Sequence, residues 1–141
     1  MQLKDQTKFY TPETQRGNCL ITCYACYFDL PIEECPAIEE LFACKHPHGF
    51  WFTTLTAWLE EYHGVREKTM NEDPFLAHGW EDYYFATGPS ARGCLHYVIY
   101  KDGKLFHDPH PSKLGLEEIH SYTILVPKDL PDSGIGTFRA G

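Results

Sequence analysis

Gly93-Cys94-Leu95-His96-Tyr97-Val98-Ile99-Tyr100-Lys101-Asp102-Gly103-Lys104-Leu105-Phe106-His107-Asp108-Pro109-His110-Pro111 reads as a β-hairpin, two runs rich in β-branched and aromatic residues joined at Asp102-Gly103. That dipeptide admits a two-residue type I′ loop, or a three-residue loop in which Lys101 and Asp102 make a type I turn and Gly103 adopts the left-handed conformation. The choice sets the register. With three residues, Tyr100 faces Lys104 and His96 lies opposite Asp108 on one face, Cβ atoms about 5 Å apart. With two, Asp108 faces Tyr97 and points away from His96. The expectation is the three-residue loop, which sets a carboxylate beside an imidazole and puts Pro109 beyond the last paired residue, where no ladder donor is lost.

Upstream, Gly17-Asn18 precedes a run from Cys19 to Phe28 with Leu20, Tyr24, Tyr27 and Phe28 at helical spacing, and Pro31 forbids continuation. A helix is expected to start at Cys19 with Asn18 as N-cap. A second is expected over 36–44, with Pro36 in the first turn. A third is expected over 50–62, where Trp51, Leu55, Trp58, Leu59 and Tyr62 share a face and Gly64 follows as a stop. Short β-rich runs come next, at 83–86, 95–100, 104–107 and 122–126. Helices first and strands after argue for an α+β domain built on an antiparallel sheet.

The chain has 141 residues, the length of one domain, so residues 1–141 are read as a single unit with a loosely packed tail over 127–141. Apolar residues make up 43 % without a membrane-spanning run, and the first residues contain no secretory pattern. A cytoplasmic protein that does not engage a membrane is expected. Twelve Lys and Arg against 20 Asp and Glu, a formal charge of −8, oppose attraction to phosphate backbones, so nucleic acid is not an expected partner. The six cysteines, three of them within Cys19–Cys26, are read as reduced thiols.

A helix beginning at a cysteine offers unpaired N–H groups and a positive dipole end, which favour a thiolate and can bind an oxyanion. A thiol that attacks a carbonyl also needs a base and a group to orient that base. Cys19 as nucleophile, His96 as base and Asp108 as orienting carboxylate supply this set, in which the carboxylate fixes the imidazole tautomer. The backbone N–H of Cys19 and an upstream glutamine, Gln6 or Gln15, would bind the oxyanion. Arg92, before the His96 strand, is a candidate substrate contact.

Gln6-Thr7-Lys8-Phe9, Gly17-Asn18-Cys19, Leu30-Pro31-Ile32-Glu33-Glu34-Cys35-Pro36, Trp58-Leu59, Gly88-Pro89-Ser90-Ala91-Arg92-Gly93 and His107-Asp108-Pro109-His110-Pro111-Ser112 together resemble small bacterial and phage proteins of papain-like fold, related to the bacteriocin-leader-processing peptidases. The resemblance runs from about Gln6 to Val126. It implies a helix carrying the nucleophile, packed against an antiparallel sheet carrying His and Asp, in the order Cys, His, Asp. It also favours Gln6, followed by Thr7, over Gln15 as the oxyanion glutamine.

The expected activity is hydrolysis of an amide, peptide or isopeptide bond in a peptide or protein substrate, with no metal or organic cofactor. Acyl transfer or glutamine deamidation would use the same acyl-enzyme, and a non-catalytic binding module would use the same scaffold. Cys19, Cys23 and Cys26 also match the C-x3-C-x2-C spacing of iron–sulfur radical enzymes, but 141 residues cannot supply their barrel. The cysteines and histidines lack the paired-knuckle spacing of zinc modules. Oligomeric state is not legible.

Overall fold

The computed structural model describes residues 1–9, 17–36, 50–91 and 94–130. Helix α1 spans Cys19–Phe28 and ends where Asp29 takes the left-handed conformation ahead of Pro31. A short 3-10 turn covers Ile32–Glu34. Helix α2, Phe50–His63, stops at Gly64, whose φ of 66° suits a residue without a Cβ. Leu55 and Leu59 of its expected apolar face are buried and Trp58 packs beside them, whereas Tyr62 is 75 % exposed.

The strands are β1 (Val65–Met70), β2 (Tyr84–Pro89), β3 (Leu95–Lys101), β4 (Lys104–His107) and β5 (Ser121–Pro127), and every pair runs antiparallel in the order β1-β5-β2-β3-β4. The α+β architecture with an antiparallel sheet is as expected. Two elements were not anticipated. Strand β1 is an edge strand, Val-Arg-Glu-Lys-Thr-Met, with little hydrophobic alternation. The five-residue helix α3, Pro74–His78, is set by Asp73, whose side chain accepts from Phe75 N and Leu76 N, and by Gly79 at its end.

One face of the sheet, through Phe85, Ile99 and Leu125, packs on Leu20, Ile21, Cys23 and Tyr24 of α1 and on Leu55 and Leu59 of α2. The other face gathers Tyr84, Ile124 and Val126 with Phe75, Trp80, Tyr100 and Tyr122. Of the expected helix over 36–44, residues 37–44 lie outside the described residues. Of the expected loose tail, Lys128 N donates to Gly64 O at 3.0 Å and Arg66 Nη2 to Leu130 O at 2.5 Å, and 131–141 lie outside the described residues. No described helix is long and apolar enough to cross a membrane, and the five described cysteines are free.

Candidate active site

The β3–β4 hairpin differs from the expected register in a way that matters for the site. Lys101 pairs with Lys104 and Tyr100 with Leu105, so the loop is the two-residue form, with φ of 55° at Asp102 and 79° at Gly103. Alone, that turn would send Asp108 to the face away from His96. The register then shifts between Tyr100 and Ile99, where Ile99 pairs with His107 and Phe106 is the extra residue. A bulge of one residue exchanges the faces of everything beyond it. Turn and bulge cancel, and Asp108 returns to the side of His96, as its diagonal neighbour and not its direct one.

The resulting pair is tight and dry. His96 Nε2 lies 2.6 Å from Asp108 Oδ1, and each residue is 2 % exposed. Asp108 Oδ1 also accepts from His110 N at 2.8 Å, and Oδ2 accepts from Gly115 N at 2.8 Å. Burial alone would raise this carboxyl. The hydrogen bonds from His96, His110 N and Gly115 N outweigh it and hold the group at about 2. An ionised Asp108 accepts the hydrogen bond from Nε2–H, which leaves Nδ1 as the ring nitrogen turned away from the carboxylate. The His110 contact is an Asx turn, a signal already present in Asp108-Pro109-His110; nothing in the sequence points to Gly115.

Cys19 meets the strand that carries His96 at the edge of the sheet. Strand β4 pairs with β3 only as far as Ile99, which leaves the backbone of Tyr97 unclaimed on that side. The start of α1 takes the position: Tyr97 N–H faces the Cys19 sulfur, and Cys23 Sγ donates to Tyr97 O at 3.6 Å. The Leu20 and Cys19 N–H groups face the same sulfur. Cys19 is 8 % exposed, and burial outweighs these donors, pushing its thiol up to about 11. Cys19 and His96 share no hydrogen bond among the described residues, since Tyr97 and Ile99 pack on the helix side and alternation turns His96 the other way. Cys19 thus meets β3 at the backbone of Tyr97, one residue along the strand from His96, and the two side chains are not in hydrogen-bond contact.

Gln6 belongs to a strap, residues 2–8, that laces both halves together. Gln6 N donates to Pro109 O at 2.9 Å beside Asp108, and Gln6 Nε2 donates to Lys8 O at 2.8 Å, the carbonyl that also accepts from Asn18 N. Gln6 is 7 % exposed and its Oε1 has no partner among the described residues. His107 Nε2 on Lys4 O at 2.6 Å and Lys4 N on Cys26 Sγ at 3.1 Å fix the other end of the strap. The fold therefore joins His96 to Asp108 directly, sets Gln6 against Pro109 and Lys8, and sets Cys19 against the backbone of Tyr97, with no described contact from Cys19 or Gln6 to the His96 ring. Gln15 and Arg92 lie outside the described residues. A cavity of about 770 Å³ opens behind the strap, and its described lining, which includes Thr7, Lys8, Asn18, Ile21 and Leu30, contains neither His96 nor Cys19.

No family model matches the chain, and neither the curated proteins nor the solved structures yielded a match. Among the described residues no group of three His, Cys, Asp or Glu is arranged to hold a metal. The site offers a thiol faced by backbone N–H groups, and an imidazole bonded to an ionised carboxylate.

Proposed function

We propose that the chain is a cysteine hydrolase of papain-like fold, acting on an amide bond of a peptide or protein. The observation that carries this is the buried His96–Asp108 pair at 2.6 Å, set one residue along β3 from the N–H that faces the Cys19 sulfur. A buried, ionised carboxylate is costly to retain unless it is fully paired, and here it fixes the ring of a histidine one residue along β3 from the N–H that faces the thiol. In the first step, which requires the Cys19 thiol and His96 Nδ1 to come within hydrogen-bond reach of each other, Cys19 Sγ bonds to the substrate carbonyl carbon while its proton passes to His96 Nδ1 and the carbonyl electrons move to oxygen. Cys19 N–H and the Gln6 amide receive that oxyanion. The C–N bond then breaks, His96 returns the proton to the departing amine, and Asp108 stabilises the imidazolium in between. Water deprotonated by His96 hydrolyses the thioester and restores the thiol.

One observation favours a second reading, a binding module without turnover: the resting thiol is buried and pushed up to about 11, with no bond to His96. Alkylation separates the two. Iodoacetamide labelling of Cys19, followed by peptide mapping with the half-exposed Cys94 as internal reference, is expected to proceed at neutral pH in the native chain and to lose that neutral-pH component in H96A. In H96A the rate should climb only toward the thiol's own value of about 11. Identical profiles in the two proteins would remove the hydrolase reading and leave the module.

A further inference from the structure

An asparagine at the N-cap of a helix ordinarily turns its side-chain oxygen back onto the N–H groups of the first turn. Asn18 holds that position and makes no such bond. Its Oδ1 instead accepts from Thr7 N at 3.1 Å and Lys8 N at 2.9 Å, and its Nδ2 donates to Thr7 Oγ1 at 2.9 Å. Its backbone N–H donates to Lys8 O at 3.1 Å, the same oxygen that takes Gln6 Nε2. The residue is 4 % exposed, so these bonds are not traded freely for water.

We propose that Asn18 is a positioning residue: its carboxamide clamps the strap at Thr7 and Lys8 to the first turn of α1 and thereby holds the Gln6 amide beside the nucleophile. The inference rests on the cysteine-hydrolase reading and adds to it the device that assembles the oxyanion site. Turning the side chain outward has two effects. The strap is fixed within one residue of Cys19. The helix-start N–H groups are also not consumed by a cap, which leaves those of Cys19 and Leu20 to face the sulfur. Asparagine suits both demands better than aspartate, which could accept the same two N–H groups but would set a negative charge next to the thiol and oppose its ionisation.

Two reactions of the full chain read the clamp separately from the nucleophile. Iodoacetamide alkylation needs the thiolate alone, whereas a short peptide aldehyde forms a hemithioacetal whose oxygen must be received by the oxyanion donors. N18A is expected to weaken aldehyde binding by about tenfold, as displacement of one oxyanion donor implies, with the alkylation rate within about twofold of the native chain. Q6A should show the same loss, and the Q6A/N18A double variant no greater loss than either alone, the signature of residues acting as a unit. N18D should retain aldehyde binding within about threefold, because Thr7 Oγ1 can rotate to donate, while its alkylation profile moves to higher pH. T7V, which removes a single bond of the clamp, should give a loss smaller than that of N18A and keeps the test available if N18A fails to fold. Unchanged aldehyde affinity in N18A and T7V, or losses in Q6A and N18A that simply add, would overturn the clamp. Alkylation that is independent of His96 would instead overturn the hydrolase reading beneath it.

Discussion

Two carboxylates of this chain leave water in the company of a ring donor, and they respond in opposite directions. Asp108 receives the imidazole of His96 and two backbone N–H groups, and is drawn down to about 2 against the effect of burial. Glu67, on β1, receives among the described residues the hydroxyl of the fully buried Tyr24 alone, and burial wins, so its carboxyl lies above its ordinary value. The number of fixed donors makes the difference, because each N–H aimed at a carboxylate favours the ionised form and one phenol does not offset desolvation. Asp108 is thus held as an anion beside an imidazole, the condition for stabilising an imidazolium. Glu67 closes a polar contact between α1 and an edge strand.

Replacing each carboxylate by its amide breaks this contrast most directly, and D108N carries the largest expected effect. Asparagine cannot hold the His96 tautomer electrostatically, so amide turnover should fall by about 10³–10⁴-fold and neutral-pH alkylation of Cys19 should drop to the level of H96A. Stability responds too. A folded-state value depressed below the ordinary 3.8 adds stability that is present above that value and is lost as pH falls from about 4 to about 2. The shift corresponds to a contribution on the order of 2 kcal/mol at neutral pH. Denaturant unfolding between about pH 5 and pH 2 should show that decline in the native chain and a flatter profile in D108N. An equally steep decline in D108N would mean that other carboxylates dominate.

The hairpin shows how far the sequence could be read. Helix α1 begins and ends where Asn18-Cys19 and Pro31 place its limits, and β4 has its expected bounds, because caps, prolines and an Asp-Gly turn are local signals. The meeting of His96 and Asp108 was also legible, but through the wrong register. The type I′ turn and the bulge at Phe106 each move the face by one, and period-two patterning over a four-residue strand cannot reveal two compensating shifts. Strand β1 escaped notice because Arg66, Glu67 and Lys68 mask its alternation, and α3 because five residues hold too little periodicity. The site's remaining parts are tertiary. The strap's contact with Asn18, the Tyr97 N–H at the sulfur and the Gly115 N–H on Asp108 depend on where β4 stops and how residues 109–115 return, and no local residue pattern encodes these.

Glycine 88 sharpens the comparison from a distance. It pairs with His96 across β2 and β3, and a Cβ there would lie 1.8 Å from the backbone oxygen of Glu118. That segment is stitched to β2 by His120 N on Thr87 O at 2.7 Å and Glu117 N on Pro89 O at 2.9 Å, and it follows directly on Gly115, the donor to Asp108 Oδ2. G88A should therefore cost about 1–3 kcal/mol as an overpacking substitution. It should also move the acid transition attributed to Asp108 toward the ordinary carboxylate value as the Gly115 donor withdraws, while leaving any transition of Glu67 in place. A destabilised G88A with an unmoved acid transition would show that Gly88 matters for packing alone.

The smallest effect, and the other half of the contrast, is E67Q. Because the Glu67 carboxyl is raised by burial, its contribution has the opposite sign of pH dependence to that of Asp108: stability is fully present below the ordinary value of 4.5 and is lost as pH rises through the folded-state value. Glutamine keeps an oxygen for the Tyr24 hydroxyl and never ionises. The difference in unfolding free energy between E67Q and the native chain should thus grow in favour of E67Q as pH rises above the ordinary value of 4.5, whatever fixed cost the amide introduces. Paired denaturation curves at several pH values measure this slope directly. A difference that shrinks with rising pH would place Glu67 among the anion-holding sites with Asp108, and the distinction drawn from donor number would fail.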